Sequence, residues 1–192
     1  MTTSLDGYFE GLNHDISWHK VDEEHNQFAI ELLRGTDTIL FGRRTYELFE
    51  SFWPNAADDP RMSTSNLEIA RLINNMSKVV FSRSLERVQE KKNWKNVRLV
   101  HSLDLEEVAR WKQQPGKDIS VGGNDLAMSL VRNGLLDEFR IMVNPIALGS
   151  GTPLFRGLEE KLSLKLVNVR TFKSGNVLLC YHPDISPTNK LV

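Results

Sequence analysis

A glycine followed by two arginines stands where an apolar strand is predicted to turn directly into a helix. The strand is Thr38–Phe41, and the turn is Gly42-Arg43-Arg44-Thr45. The first amides of a helix have no partner within it, the helix dipole favours negative charge there, and guanidinium groups add paired donors. The segment therefore predicts a phosphate site. A solvated first helical turn with glycine at a tight bend fits the same residues.

Two other predicted strands end in residues of the same kinds. Ser82-Arg83-Ser84 follows the run Lys78–Phe81, and Gly122-Gly123-Asn124 follows Asp118–Val121. Because ligands bind at the carboxyl ends of strands in an open parallel sheet, we expect the three turns to form one site. Two arginine-containing turns and a glycine turn suit a dinucleotide with a 2′-phosphate, which favours NADP over NAD. The ordinary Rossmann and Walker A sequences are absent.

Helical and strand patterns alternate over much of the chain, and strand patterns dominate its C-terminal part. Helices are predicted after Gly42 and at residues 24–33, 67–76, 105–113 and 124–133, and further strands at 97–100, 139–146, 162–172 and 177–182. A polar loop is predicted from Trp53 to Ser65. This order predicts an α/β fold with one domain over residues 1–184: a mostly parallel central sheet, an antiparallel C-terminal hairpin, and helices on both faces. Residues 185–192 are predicted to be a frayed tail.

The composition is that of a globular protein without a strong charge bias. Among 192 residues, 24 Lys and Arg are balanced by 25 Asp and Glu, which argues against a nucleic acid partner. The single cysteine, Cys180, lies in an apolar run and is predicted to be a buried hydrophobic residue. The five histidines show no metal-ligand spacing, so we predict no metal. No apolar run approaches the ~20 residues of a membrane span, and we expect a cytoplasmic protein.

These motifs carry a resemblance to a known family. The sequence resembles the dihydrofolate reductase superfamily, and more closely the stand-alone proteins similar to the reductase domain of the riboflavin-biosynthesis deaminase-reductase. The resemblance covers nearly the whole chain. It rests on Ser4-Leu5-Asp6-Gly7, Phe41–Tyr46, Val80–Arg83, Val121–Gly123, and the segment from Leu136-Asp137-Glu138 through Pro145 to Gly151.

The resemblance implies a dihydrofolate-reductase-like fold and NADPH as cofactor. By this resemblance, Gly42, Arg43 and Thr45 hold the cofactor phosphates, with Arg44 beside them. Ser82 and Arg83 contact the adenosine end and its 2′-phosphate. The turn Gly122-Gly123-Asn124 lies along the pyrophosphate and the nicotinamide. A homodimer is expected on the same ground.

The chain departs from the family at two places. A full apolar strand precedes the Ser-Leu-Asp-Gly motif in the family, whereas only Met1-Thr2-Thr3 precedes it here. We expect this strand to be shortened, and an in-frame upstream extension would indicate that the sequence begins inside its natural coding region. The second departure is Asn26, which stands where dihydrofolate reductases place a carboxylate that assists protonation. Asparagine cannot donate a proton in that way.

Hydride transfer also needs a proton source and groups that hold the substrate. The candidate catalytic residues are Asp6 and Glu24, although Asp6-Gly7 suits a simple turn and Glu24 suits a solvated first helical turn. Trp18 and Asn26 are candidates for substrate binding, Trp18 because an indole can cover a planar ring.

The sequence therefore predicts an NADPH-dependent reductase of a small planar nitrogen heterocycle. By resemblance the substrate type is 5-amino-6-(5-phosphoribosylamino)uracil, as in riboflavin biosynthesis. Dihydrofolate reductase activity is an alternative that Asn26 weakens. A non-catalytic NADPH-binding or sensing protein is an alternative of another class.

Overall fold

Strands and helices alternate through the middle of the chain, and strands dominate its C-terminal part. The computed structural model describes residues 1–184, so the predicted tail, residues 185–192, lies outside the described residues. The helices are α1 (Glu23–Arg34), α2 (Arg43–Ala56), α3 (Thr64–Asn75), α4 (Leu105–Lys112) and α5 (Asn124–Arg132). The strands are β1 (Thr2–Thr3), β2 (Tyr8–Glu10), β3 (Thr36–Gly42), β4 (Ser77–Phe81), β5 (Val97–Val100), β6 (Asp118–Gly122), β7 (Phe139–Val143), β8 (Thr152–Pro153), β9 (Leu164–Thr171) and β10 (Val177–Pro183).

Residues Glu23–Ala127 form one compact unit around a parallel sheet. Its strand order is β5-β4-β3-β6, and every neighbouring pair is parallel. Adjacent strand residues point to opposite faces of a sheet, and Leu40 and Phe41 are both buried, so both faces of β3 are covered. Residues of α1, α2 and α3 build the core on one of these faces, where Ile30, Tyr46 and Ile73 join Phe41.

Met1–Asp22 and the segment from Met128 onward form the second compact unit. Its four-stranded sheet has the order β1-β7-β10-β9, in which β1 is parallel to β7 and β10 is antiparallel to β7 and β9. Gly175, at φ +88°, makes the β9–β10 hairpin turn that the sequence predicts. A short antiparallel ribbon of β2 and β8 completes this unit. Our prediction of one domain over residues 1–184 stays a prediction.

Two local features differ from the sequence prediction. Helix α2 continues through Pro54 to Ala56, where we predicted a loop from Trp53 onward. Proline lacks the N–H that would bond to the carbonyl four residues earlier, and the helix ends two residues after Pro54. At the N-terminus, Thr2 and Thr3 pair with Met142 and Val143 as a strand of two residues. Among residues 1–184, none of the helices has the length and hydrophobicity needed to cross a bilayer.

Candidate functional site

The structure brings the three predicted turns together at one edge of the parallel sheet. Strand β3 lies between β4 and β6, with Gly42 opposite Phe81 and Phe41 opposite Gly122. Because all three strands run in the same direction, the turns that follow Gly42, Phe81 and Gly122 leave from the same edge. This edge, made of residues 42–45, 82–84 and 122–124, is called the carboxyl edge below.

Gly42 stands at the start of α2, where a Cβ would fit without a clash. It is the N-cap of this 14-residue helix, and no side chain caps the first backbone amides. Its φ of −72° is open to any residue, and an added Cβ would lie 4.0 Å from Gly122 O and Leu126 Cβ, an ordinary contact. The protein's own packing therefore does not require glycine here. A ligand bound close to the first amides of α2 would require glycine at this position.

The glycine pair has the opposite character, because the fold itself requires it. A Cβ on Gly122 would lie 2.8 Å from a ring carbon of Phe41. Gly123 has φ +111°, and a Cβ there would lie 3.0 Å from the hydroxyl oxygen of Thr45. Both glycines thus allow β6 and the start of α5 to pack against β3 and the first turn of α2.

Helix α5 offers a weaker phosphate site than α2. The buried Asn124 is its first residue, and the carbonyl of Gly123 accepts a hydrogen bond of 3.1 Å from the amide of Ala127. The first turn of α5 carries the acidic side chain of Asp125, whereas the first turn of α2 carries no acidic residue. Because an anion is repelled by an acid at a helix start, α2 is the better phosphate site.

The three arginines of the carboxyl edge differ in their partners. Arg43 donates from Nε to Glu47 Oε1 at 2.7 Å and from Nη1 to Ser84 Oγ at 2.7 Å, which ties the start of α2 to the turn after β4. Arg44 is exposed. Arg83 is exposed too, and the described part of the chain gives its guanidinium neither a hydrogen bond nor an ion pair. Arg83 is therefore the cation most available to a ligand.

Ser82 is buried, and its hydroxyl oxygen shapes the turn after β4. Ser82 Oγ accepts hydrogen bonds from the amides of Ser84 at 3.3 Å and Leu85 at 3.0 Å, and it still has a proton to donate. Sequence reasoning missed His101, whose Nδ1 lies 3.0 Å from the Ser82 carbonyl oxygen. His101 directly follows β5, so the end of a fourth parallel strand was the signal that could have found it. Glu47 was missed as well, although its spacing of four residues from Arg43 predicts a helical ion pair.

Asp6 holds a turn and a distant loop together. Its carboxylate accepts hydrogen bonds from Ser4 Oγ at 2.6 Å and from the amides of Leu148 and Gly149 at 3.1 and 2.7 Å. These bonds, the one from Ser4 first, lower the pKa of Asp6 to about 2. An acid of that strength carries no proton near neutral pH. The geometry thus argues against the predicted catalytic role of Asp6 as a proton donor and supports the turn interpretation.

Asn26 and Glu24 lie near each other in sequence, but only Asn26 is buried. Asn26 Nδ2 donates to Ser65 Oγ at 3.1 Å and to Asn66 Oδ1 at 3.2 Å, so both of its donor hydrogens link α1 to the start of α3. This contact gives Asn26 a structural role where we predicted a substrate contact. Glu24 is half-buried in the first turn of α1, and its catalytic role stays a prediction.

Trp18 lies in a segment that two buried asparagines anchor. Its indole Nε1 donates to Asp15 O at 2.9 Å within the same segment, and its ring is half-buried. Two residues later, the amide of Lys20 donates to Asn144 Oδ1, and the carbonyl of Lys20 accepts from Asn176 Nδ2, both at 2.8 Å. Asn144 and Asn176 are 1% and 0% exposed. The pair therefore fixes the backbone beside Trp18, whose contact with substrate stays a prediction.

No metal centre is found in the described part of the chain. Within residues 1–184, there is no group of three or more His, Cys, Asp and Glu side chains that could hold an ion.

The carboxyl edge and the sequence around it match a protein family. The model of the RibD C-terminal domain matches residues 1–178. The chain belongs to the RibD C-terminal domain family. It is also 35% identical over 183 residues to the uncharacterized protein YyaP of Bacillus subtilis (strain 168), an alignment that covers 95% of this chain and 92% of YyaP.

Solved structures show how this RibD C-terminal domain protein folds. A proposed riboflavin biosynthesis protein from Shewanella sp. PV-4 is similar with a TM-score of 0.71 at 23% identity, over 96% of each chain. The Thermotoga maritima deaminase and 5-amino-6-(5-phosphoribosylamino)uracil reductase has a TM-score of 0.62 at 17% identity, over 95% of this chain and 55% of the other. Dihydrofolate reductase from Enterococcus faecalis, solved with NADP(H), has a TM-score of 0.58 at 14% identity, over 95% and 93%. These similarities confirm the predicted dihydrofolate-reductase-like α/β fold.

Proposed function

We propose that this protein is an NADPH-dependent reductase that acts on a small planar nitrogen heterocycle. The observation that carries the proposal is the carboxyl edge, where the uncapped start of α2 lies beside Gly42, Arg43 and Arg83, whose guanidinium has no partner among residues 1–184. Membership of the RibD C-terminal domain family supports the reductase class. The named activity of the Thermotoga relative supports a substrate of the 5-amino-6-(5-phosphoribosylamino)uracil type.

The residues of the carboxyl edge fit a phosphorylated dinucleotide. The amides at the start of α2 would bind the pyrophosphate, because they point outward from a helix with no acid in its first turn. The absence of a side chain at Gly42 would let a phosphate approach the backbone. Arg83 and the Arg43–Ser84 pair would hold the 2′-phosphate. When bound, NADPH supplies the hydride.

The source of the proton distinguishes this proposal from its alternatives. The carboxyl of Asp6 is ionised near neutral pH and has no proton to donate. Both amide hydrogens of Asn26 are bonded to residues at the start of α3. We propose Glu24 as the remaining acid of the sequence prediction. The same two observations favour a second candidate function, a protein that binds NADPH without turnover. They also disfavour dihydrofolate as the substrate, since the position that carries the acid in dihydrofolate reductases is occupied by a buried, bonded asparagine.

Cofactor binding and turnover can be tested separately. Fluorescence titration should show tighter binding of NADPH than of NADH, and oxidation of NADPH should occur with a pterin or a ribosylaminopyrimidine from a substrate panel. In Gly42→Ala, affinity for NADPH should fall about tenfold while the free energy of unfolding changes by less than ~0.5 kcal/mol, because the Cβ takes only space. Tight NADPH binding without turnover across the panel would support the sensing protein. Equal binding of NADPH and NADH would contradict the cofactor assignment.

We also propose a homodimer, and the outer edge of β9 supports it. β9 is the last strand of its sheet, so one of its edges pairs with no strand among residues 1–184. Leu166, Val167 and Val169 on this strand are 49%, 44% and 47% exposed. Exposed apolar edge strands invite pairing with another chain. Light scattering should give the mass of two chains for the wild type and of one chain for Val169→Lys, whereas a wild-type monomer would contradict the proposal.

A cytoplasmic location is proposed with the reductase function. Cys180 is a buried free cysteine, so the described fold does not depend on an oxidising compartment. Fractionation of the native host should recover the protein with cytoplasmic markers.

A further inference from the structure

A polar cavity of about 330 Å³ lies at the edge of the parallel sheet opposite to the carboxyl edge. Its walls come from one face of α3, from the loop after α2, and from the loop before β5. The lining residues are Ala57, Asp58, Leu67, Arg71, Asn74, Asn75, Lys92, Asn93 and Lys95. Since α3 ends at Asn75, just before β4 begins, and Lys95 lies just before β5 begins, the cavity is at the amino ends of β4 and β5. Ser82 and Arg83 follow the other end of β4.

Side-chain hydrogen bonds hold the three walls of this cavity to one another. Asn93 Nδ2 donates to Pro54 O at 3.2 Å and to Asp58 Oδ2 at 2.9 Å, which joins the loop before β5 to the end of α2. Asn74 Nδ2 donates to Trp53 O at 3.1 Å, which joins α3 to α2. The cavity is therefore preformed, as binding sites for small molecules usually are.

The buried Lys78 cross-links two of the walls from behind. Lys78 is 1% exposed, and its Nζ donates to Asn74 O at 3.0 Å, to Met76 O at 2.6 Å and to Lys95 O at 2.9 Å. Burial lowers its pKa to about 8, so the ammonium still carries its charge at neutral pH. The positive charge of Lys78 thus lies against the backbone of two residues that line the cavity, Asn74 and Lys95.

The side chains that line the cavity are mostly basic or amide groups. Arg71, Lys92 and Lys95 outnumber the single acid, Asp58. Lys92 pairs with Asp58 at 3.1 Å and Arg71 pairs with Glu68 at 3.2 Å, but these pairs are exposed and therefore weak. Within residues 1–184, no ion pair or hydrogen bond engages the Lys95 ammonium. The cavity therefore favours an anion over a neutral or cationic molecule.

We propose that this cavity binds a small oxyanion, a phosphate ester or a carboxylate of sugar size, at a site separate from the cofactor. Arg71 and Lys95 supply the charge, and the side-chain amide of Asn75 supplies a further donor. This site stands whether or not the protein is a reductase, because none of its residues belongs to the carboxyl edge.

Calorimetric titration of the full chain tests the site, with glucose 6-phosphate, inorganic phosphate and glucose as probes at constant ionic strength. We expect saturable binding of glucose 6-phosphate, weaker binding of inorganic phosphate, and none of glucose. The double variant Arg71→Gln/Lys95→Gln should bind at least tenfold more weakly. The charge-matched control Arg110→Gln/Lys112→Gln, on the exposed side of α4, should bind like the wild type, and saturating NADP should leave the affinity unchanged.

Three results would overturn the proposal. The first is no saturable binding up to about 10 mM, the range of weak affinities below 3 kcal/mol. The second is unchanged binding in Arg71→Gln/Lys95→Gln. The third is loss of binding with NADP or in Arg83→Gln, which would place the anion at the carboxyl edge. Equal binding of inorganic phosphate and glucose 6-phosphate would retain the anion site and overturn the sugar size of its ligand.

Discussion

The carboxyl edge and the segments around Asp6 and Lys20 contain polar residues of similar kinds, but they use them differently. At the carboxyl edge, the first amides of α2 have no side-chain cap, and the guanidinium of Arg83 has no partner within the described residues. In the other unit, Asp6 accepts from a hydroxyl and from backbone amides, and Asn144 and Asn176 bond both backbone groups of Lys20.

The difference separates polar groups that are open to a ligand from polar groups that stabilise the fold. A polar group that is already bonded within the protein gains little from a ligand, since the ligand must replace a bond that exists. A group left open at the start of a helix gains the full charge-assisted bond. Hydrogen bonds and exposure at each residue therefore indicate function better than residue type does, and variants at the two regions should separate into loss of stability and loss of affinity.

The largest loss of stability is expected for Gly151→Ala. Gly151 has φ +146°, and an added Cβ would overlap the backbone carbonyl of Glu10. Because the obstacle is backbone and the conformation is strained for any other residue, we expect a loss of about 3 kcal/mol or more. Urea unfolding measures it, with Gly42→Ala as the control that should unfold like the wild type. A loss below about 1 kcal/mol would show that the loop after Pro145 adapts freely.

Asn176→Ala should cost less, about 2 kcal/mol. The change removes the donor to Lys20 O and leaves a hole at a fully buried position. Hydrogen exchange should become faster in residues 12–20. The matched control is Asn133→Ala, at an exposed asparagine just after α5 that bonds only to the last turn of that helix. Unchanged exchange in residues 12–20 would mean that Asn144 alone anchors Lys20.

The sequence predicted the elements and the carboxyl edge because both depend on local patterns. Apolar runs such as Thr38–Phe41 identify strands, and the residues that follow parallel strands must meet at one edge. The roles of single residues were harder to predict. Asp6 is bonded by Leu148 and Gly149, 142 and 143 positions away, and Asn26 by residues 39 and 40 positions away. Such partners depend on tertiary structure, which no local pattern encodes.

The glycines show the same limit within the carboxyl edge itself. Sequence reasoning treated Gly42, Gly122 and Gly123 alike, as places where a backbone can approach a phosphate. The structure separates them, because Gly123 has a positive φ and Gly122 packs against Phe41, while Gly42 has neither constraint. Backbone angles and contacts across strands decide which glycine remains for a ligand.

Variants of Arg83 and Arg43 test whether an arginine without a partner in the fold contributes more to cofactor affinity than one that is already bonded. Arg83→Gln should weaken NADPH binding by about 10- to 100-fold and leave NADH binding unchanged, because a charged hydrogen bond to the 2′-phosphate contributes about 1.5–3 kcal/mol. Arg43→Gln should weaken it less, since the Arg43 guanidinium already bonds Glu47 and Ser84. Fluorescence titration measures both. A larger effect at Arg43 would reverse the order that we infer from their partners.

The smallest effect on activity near neutral pH is expected for Asp6→Asn. Hydrogen bonds, the one from Ser4 first, lower the pKa of Asp6 in the folded protein from its ordinary value of 3.8 to about 2. A lowered pKa means that the carboxylate stabilises the fold above about pH 4, and that this stabilisation is lost as the pH falls toward 2. Asp6→Asn should therefore flatten the acid side of the stability profile and leave the pH dependence of kcat/KM unchanged between about pH 5 and 9. Glu24→Gln, by contrast, should lower kcat and leave the affinity for NADPH unchanged, because it removes the group that we propose as the proton donor. A shifted pH profile of kcat/KM in Asp6→Asn would indicate that Asp6 takes part in catalysis. It would also mean that the hydrogen bonds from Ser4 and Gly149 to Asp6 open during turnover.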